Sequence, residues 1–246
     1  MPQNGILVPS KTNLNRKGFP MKKPIIAVLA VLLLASLACS LASSPVVSED
    51  PAAAEPVVVD KTIRTDDFSD TDSGWPDATT DGGRAYYENG AYHIEVTTDQ
   101  MDIWAHPGWN MPNDVSVKVD VTLSSGTLDN DYGLICRYNS GDENEEYYFF
   151  IISSDGYAGI GLSSGGETNL LSGENMEAVG EIKQGLATNS IQADCVGNQL
   201  TLYVNDTQVM SASDSTLTSG DVGLIAGTFD EPNINVLFDN LVVSNP

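Results

Sequence analysis

The stretch Val115-Ser-Val-Lys-Val-Asp-Val-Thr-Leu123 decides the fold. Five aliphatic residues occupy every second position, and the residues between them are polar. In a strand, side chains alternate between the two faces, so this segment buries one face and wets the other. The same period recurs on both sides of it. Tyr92, Ile94 and Val96 alternate with His93 and Glu95. Ile191, Ala193 and Cys195 alternate with Gln192 and Asp194, and Leu200, Leu202 and Val204 with Thr201 and Tyr203. Turn-forming pairs punctuate these runs: Asn89-Gly90, Asp155-Gly156, Gly197-Asn198, Asn205-Asp206 and Gly220-Asp221. Beyond residue 39 no helical stripe is present, and one helical turn near Glu174–Val179 is the most that the sequence allows. Many short strands with such turns predict an all-β, antiparallel sandwich or barrel.

Two segments depart from alternation. Tyr147 to Ile152 is continuously apolar, which predicts a strand covered on both faces or lining a groove. Near the end, Ile234, Val236 and Phe238 share one parity and Leu241 and Val243 the other, which predicts a bulge at Asp239-Asn240.

The first 39 residues read as an address. Lys22 and Lys23 precede an apolar run, Ile25 to Ala38, of secretory length, with Met21 as the expected start. The run ends in Leu34-Ala-Ser-Leu-Ala-Cys39, which resembles a lipoprotein signal cut before a lipid-bearing Cys39. A plain secretory cut after Ala38 or Ala42 is the alternative. Residues 40–62, rich in Ser, Ala, Pro and acid, read as a disordered linker, and 63–246 as one domain. The protein is thus expected to be exported and held at a cell surface or the periplasmic face of a bacterial membrane, touching that membrane only through the lipid. Of three cysteines, Cys136 and Cys195 lie on strand-like segments of the body. In an oxidising compartment they are expected to pair, leaving Cys39 for the lipid; two buried free thiols are the other reading.

Of 246 residues, 34 are acidic and 11 basic, for a formal charge of -23. Residues 1–39 hold five of the cations and no acid, so the remainder stands at -28. Such a surface repels nucleic acid and attracts cations.

The order of several motifs carries a family resemblance. Asp66-Asp-Phe68 opens the domain, Ile151-Ile-Ser-Ser-Asp-Gly-Tyr157 sits in its middle, and Leu200-Thr-Leu-Tyr-Val-Asn205 precedes Gly220-Asp-Val-Gly-Leu-Ile-Ala226. Phe238-Asp-Asn-Leu-Val-Val243 closes it. Residues 63–246 resemble the concanavalin A-like lectin/glucanase superfamily, nearest its laminin-G-like and 3-keto-disaccharide-hydrolase-like branch. The resemblance implies a jelly roll of two antiparallel sheets, with first and last strands adjacent and a concave sheet as the ligand face. It does not fix function, because that fold hosts lectins, glycosidases and adhesion modules.

Three chemistries are open to such a domain. Glycosidases of this fold carry Glu-x-Asp-x-Glu or Glu-x-Asp-x-x-Glu on one strand, and no such motif is present. The acidic run Asp142–Glu146 reads as a solvated loop, and His93 and His106 are the only histidines, His93 reading as a solvated surface residue. Asp66, Asp67, Asp70 and Asp72 cluster before Gly74, and the resemblance implies a structural Ca²⁺ with Asp239 as a ligand, giving Asp67, Asp70 and Asp239 as candidates; an acidic turn without metal is the alternative. For carbohydrate, rings stack on sugar C–H faces while polar groups bind hydroxyls. Trp104, Trp109, Tyr132 and Tyr147 are the candidate rings, with Arg137 as their charged companion and Asn130 and Asp131 as further polar neighbours. The expected role is non-catalytic binding of a glycan or other extracellular polymer. A calcium-stabilised adhesion module and a glycoside-acting hydrolase are the alternatives.

Overall fold

The computed structural model describes residues 61–140 and 144–246. The signal region, the linker and the lipid acceptor Cys39 lie outside the described residues. Sixteen strands are present among the described residues. The first eight are β1 (Thr62–Asp66), β2 (Ala78–Thr80), β3 (Gly83–Glu88), β4 (Ala91–Val96), β5 (Met101–Ala105), β6 (Val115–Ser125), β7 (Asp131–Ser140) and β8 (Glu145–Ser153). The others are β9 (Tyr157–Ser164), β10 (Glu167–Leu170), β11 (Glu177–Ala178), β12 (Asn189–Val196), β13 (Gln199–Val204), β14 (Thr207–Ser213), β15 (Asp221–Thr228) and β16 (Ile234–Ser244).

These strands form two antiparallel sheets. The nine-stranded sheet runs β14-β13-β12-β6-β16-β4-β3-β2, and β1 pairs with the part of β16 beyond the end of β4. The seven-stranded sheet runs β10-β9-β8-β7-β15-β5, with β11 added on β9. First and last strands are neighbours, and Asn245 N–H donates to the Lys61 carbonyl at 2.9 Å.

Alternation sets the interior. Val115, Val117, Val119, Val121 and Leu123 of β6 are all buried, facing Tyr132, Leu134, Cys136, Tyr148, Phe150 and Ile152 of the opposite sheet. Full burial of such side chains contributes about 1.5–3 kcal/mol each. The bulge at Asp239-Asn240 is present: the β16–β6 register shifts between Asp239 and Val242, and Asn240 has φ 52°. The extra residue keeps Phe238 and Leu241 both buried despite their opposite parity.

Two further segments are strand. No helical turn forms near Glu174–Val179; Glu177–Ala178 instead pair with Tyr157 and Ala158 at the edge of β9. Glu145 and Glu146, the end of the supposed acidic loop, already belong to β8 and pair with Ser140 and Asn139.

Cys136 of β7 and Cys195 of β12 are bonded across the sandwich, 59 residues apart in sequence. The bond ties one sheet to the other through the middle of the core. On loop closure alone, it removes about 3–4 kcal/mol of unfolded-state freedom. The double variant Cys136→Ala, Cys195→Ala is expected to lose about 2–4 kcal/mol of unfolding free energy in urea. Equal midpoints for variant and parent would refute the cross-link as a stabiliser.

Candidate functional site

The interior uses one face of the seven-stranded sheet. Its outer face is also apolar and carries a second cluster: Trp104, Ile135, Tyr138, Tyr147, Phe149, Ile151, Met176 and Ile225. The continuous run Tyr147–Ile152 is thus covered on both faces, with Tyr148, Phe150 and Ile152 inward and Tyr147, Phe149 and Ile151 outward. Gly161, opposite Phe149 in the register, lets that ring lie flat; a Cβ there would overlap it.

Aromatic rings form a ribbon along this face. His106 stacks on Tyr138 with centroids 4.2 Å apart, Tyr138 on Tyr147 at 6.2 Å, and Trp104 tilts against Tyr147 at 5.5 Å. Tyr138 joins it only because β7 is bulged. Arg137 has φ 54°, and the β7–β8 register shifts between Cys136 and Asn139, so Tyr138 turns outward although it shares parity with the inward Cys136.

Trp104 and Tyr147 are therefore brought together on one face, packed at 1% and 2% exposure rather than laid open. The other expected rings lie elsewhere. Tyr132 points into the core and hydrogen-bonds Ser154 Oγ at 2.6 Å. Trp109 packs edge-on against Trp75 at 5.7 Å on the rim of the core. Arg137 was expected in the ligand groove; the bulge turns it to the end of the sandwich. There Nη1 donates to the Leu217 carbonyl at 2.9 Å and Nε to the Asn113 carbonyl at 3.2 Å, with Asp114 at 3.5 Å. Asn130 fastens loops, donating to Thr127 Oγ1 and the Glu231 carbonyl. His93 is buried, not solvated: it stacks on Tyr86 at 5.0 Å and its Nδ1 bonds Asn235 Oδ1 at 3.0 Å.

At one end of the ribbon the surface opens into a cleft of about 430 Å³, bordered by His106, Asn110, Met111, Tyr138, Asn139, Ser219 and Asp221. Asp221 organises it. Its Oδ2 accepts from Gly108 N–H at 2.6 Å, Trp109 N–H at 3.0 Å and His106 Nδ1 at 3.3 Å, and its Oδ1 accepts from Val222 N–H at 2.9 Å. A carboxylate only accepts, so His106 carries a proton on Nδ1. Tyr138 is 4% exposed, and neither its hydroxyl nor Trp104 Nε1 has a hydrogen bond of standard geometry. The two groups still influence each other. Burial pushes the Tyr138 phenol up, the indole opposes that, and Tyr138 remains a hydroxyl at any physiological pH.

At the other end of β5, about 13 Å along the strand from His106, lie two carboxyls the sequence did not pair. Asp102 and Asp131 both register opposite Gly227 of β15. A Cβ on Gly227 would run into Asp102 Oδ1 and lie 2.8 Å from Asp131 Oδ1, which places the two oxygens within about 5 Å. A cavity of about 10 Å³, lined also by Tyr147, Thr168 and Ile225, adjoins them. Burial, then the charge of Asp131, raises Asp102 well above the usual carboxylate range.

No protein-family model matches this sequence, and no curated protein matches it either. Solved structures do. A protein of unknown function with a galectin-like fold, from Bacillus subtilis, superposes with TM-score 0.58 at 8% identity, over 75% of this chain and 96% of that one. The β-glucanase of Bacillus licheniformis gives 0.54 at 10% identity, over 74% and 97%. The laminarinase catalytic domain of Thermotoga maritima gives 0.53 at 12%, over 76% and 98%. The chain has the concanavalin A-like fold. At such identities the likeness extends to architecture and no further.

In this concanavalin A-like domain two of the three residues implied as calcium ligands share a cleft. Asp67 and Asp70 border an open cleft with Asp66, Ser73 and Asn240, and Asp239 is not among its walls. Asp67 Oδ1 accepts from Ser69 N–H, Asp70 Oδ1 from Asp72 N–H, and Asp239 Oδ1 from Asn240 N–H. Among the described residues no three acidic, histidine or cysteine side chains gather as a metal cage.

The buried pair predicts a pH dependence of stability. Because the folded-state pKa of Asp102 is raised, the native protein keeps a proton that the unfolded chain releases above about pH 4. The stabilisation it brings is full below that point and is lost as pH rises through the raised value. Asp102→Asn should flatten this loss, so that the variant gains on the parent between pH 5 and pH 8 in urea unfolding. Parallel curves would show that the carboxyl does not titrate there.

Proposed function

We propose that the protein is a non-catalytic glycan-binding module whose ligand sits in the cleft bordered by His106, Tyr138, Asn139 and Asp221. The observation that carries this reading is the cleft's make-up. A volume of about 430 Å³ suits a sugar ring or two. Imidazole and phenol edges beside amide and hydroxyl groups match a sugar's mixture of C–H and O–H. Two of the structural neighbours bear glucanase names, β-glucanase and laminarinase, which supports a glycan over other polymers. Binding without chemistry is favoured because the close carboxyl pair, Asp102 and Asp131, is buried and borders a different cavity from this one.

The test is calorimetric titration with soluble oligosaccharides. Ser219 is exposed on the cleft rim. Ser219→Trp is expected to block the cleft and abolish heat of binding while the thermal midpoint stays within a degree or two. Unchanged affinity in that variant would move the site elsewhere.

We also propose export and lipid attachment at Cys39, supported by the apolar run and the small residues before that cysteine. Mass spectrometry of the native amino terminus should find an acylated Cys39; an unmodified Cys39 or Ser43 terminus would overturn it.

A further inference from the structure

We propose that the end of the sandwich remote from its chain ends is a docking surface for a basic, amphipathic polypeptide segment, presented by Leu128, Tyr157 and Leu186. The proposal is independent of the cleft at Tyr138 and Asp221, which lies toward the other end.

The strand register fixes the two ends. Thr62 of β1 pairs with Ser244 of β16, and Ser244 pairs with Ser116 at the start of β6. The segments that follow β6, follow β8 and precede β12 lie at the far end of β6, about 30 Å away at the rise of a strand. Hydrogen bonds join them. Asp155 N–H donates to the Leu128 carbonyl at 2.9 Å and Gly185 N–H to the Ser154 carbonyl at 2.8 Å, while Thr122 Oγ1 and Thr188 Oγ1 are 2.7 Å apart. Each segment exposes one large apolar side chain: Leu128 at 40%, Tyr157 at 37% and Leu186 at 59%. Among the described residues the only other large apolar side chain so exposed is Val196. It lies at the opposite end, next to Cys195, which pairs with Val115. Scattered singly, such residues carry no meaning; gathered on adjoining segments they mark a contact surface.

The three segments are braced from beneath. Asn189 is fully buried; it accepts from Lys183 N–H at 2.9 Å and donates to the Lys183 carbonyl at 3.0 Å, closing the loop that carries Leu186. Asn130 is also fully buried; it donates to Thr127 Oγ1 at 2.8 Å and accepts from Phe229 N–H at 2.8 Å, on either side of Leu128. Ser153 Oγ accepts from Tyr157 N–H at 3.2 Å. A surface fixed before contact loses little conformational freedom on binding. A solvated loop gains nothing from a leucine at its crest, whereas a pre-formed contact surface does.

Charge selects the partner. Loops 126–130, 154–157, 180–188 and 229–233 hold Asp129, Asp155, Glu181, Asp230 and Glu231 against a single cation, Lys183. Asn130 Nδ2 donates to the Glu231 carbonyl at 3.0 Å and so ties the last of these loops to the first. Carboxylates around apolar side chains complement lysines that flank a leucine stripe. A second copy of this chain would meet like charge, since residues 40–246 carry -28. An anionic lipid surface is repelled for the same reason.

The experiment is calorimetric titration of the full chain with a synthetic amphipathic peptide of leucine and lysine, and with its counterpart carrying glutamate for lysine. The variants are the double substitution Leu128→Ser, Leu186→Ser, and Val196→Ser as a control at the opposite end, each first checked by thermal unfolding. The lysine peptide should bind the parent, and the glutamate peptide should bind at least about tenfold more weakly. The double variant should weaken the lysine peptide by about tenfold, through the apolar area withdrawn from the contact. Val196→Ser should leave its affinity unchanged. A parent that ignores the lysine peptide, or a folded double variant that binds like the parent, overturns the proposal. Equal binding of the glutamate peptide, or an equal loss in Val196→Ser, does the same. So does binding of phosphatidylcholine vesicles, or a dimer in sedimentation, that the double variant loses, because the occupant would then be a lipid surface or a second copy.

Discussion

Period two imposes a constraint that the seven-stranded sheet resolves in an unusual way. A strand cannot bury one side chain without sending the next to the opposite face. In the nine-stranded sheet that opposite face is polar: Lys118, Asp120 and Thr122 of β6 face outward between the buried valines. In the seven-stranded sheet it holds Trp104, Ile135, Tyr147, Phe149, Ile151 and Ile225. The domain therefore has two dry layers, one shared between the sheets and one on the outside of the smaller sheet. The aromatic ribbon, the paired carboxyls and the cleft all belong to that second layer or to its borders.

Departures from regular strand geometry decide what the second layer presents. The bulge at Arg137 turns Tyr138 outward and sends the guanidinium to the end of the sandwich. The absent side chain at Gly227 makes room for Asp102 and Asp131 to face each other across an intervening strand. Asp221, at the start of β15, gathers the chain that follows β5 by its backbone N–H groups, and so places His106 beside Tyr138. The bulge at Arg137 costs regular pairing there, and each of the three gains a specific side-chain position.

Most of the architecture was legible because it is written in short-range alternation. The strands around Val117, Ile94 and Ala193, the double-faced strand at Tyr147–Ile152 and the slip at Asp239-Asn240 all follow from neighbours in sequence. The site was less legible, for a physical reason. Its geometry depends on which residues of distant strands fall opposite each other, and register is a long-range property. Asp102 and Asp131 are 29 positions apart and meet only through Gly227. Arg137 was assigned its face by parity, and parity fails at a bulge. His93 looked polar in a polar position, yet Tyr86 and Asn235 close over it. The glycine at 227 was the one available signal, since glycine in a strand marks a close approach.

The pairing of β1 with β16 brings the two chain ends of the domain to one spot, where Lys61 Nζ donates to the Pro246 carbonyl at 2.6 Å. A unit whose entrance and exit coincide can be spliced into a surface loop of another polypeptide without prising that loop apart. It can equally be re-opened at a distant turn and closed at its old ends by a short joint. The order in which its strands are synthesised is thus separable from the order in which they lie side by side.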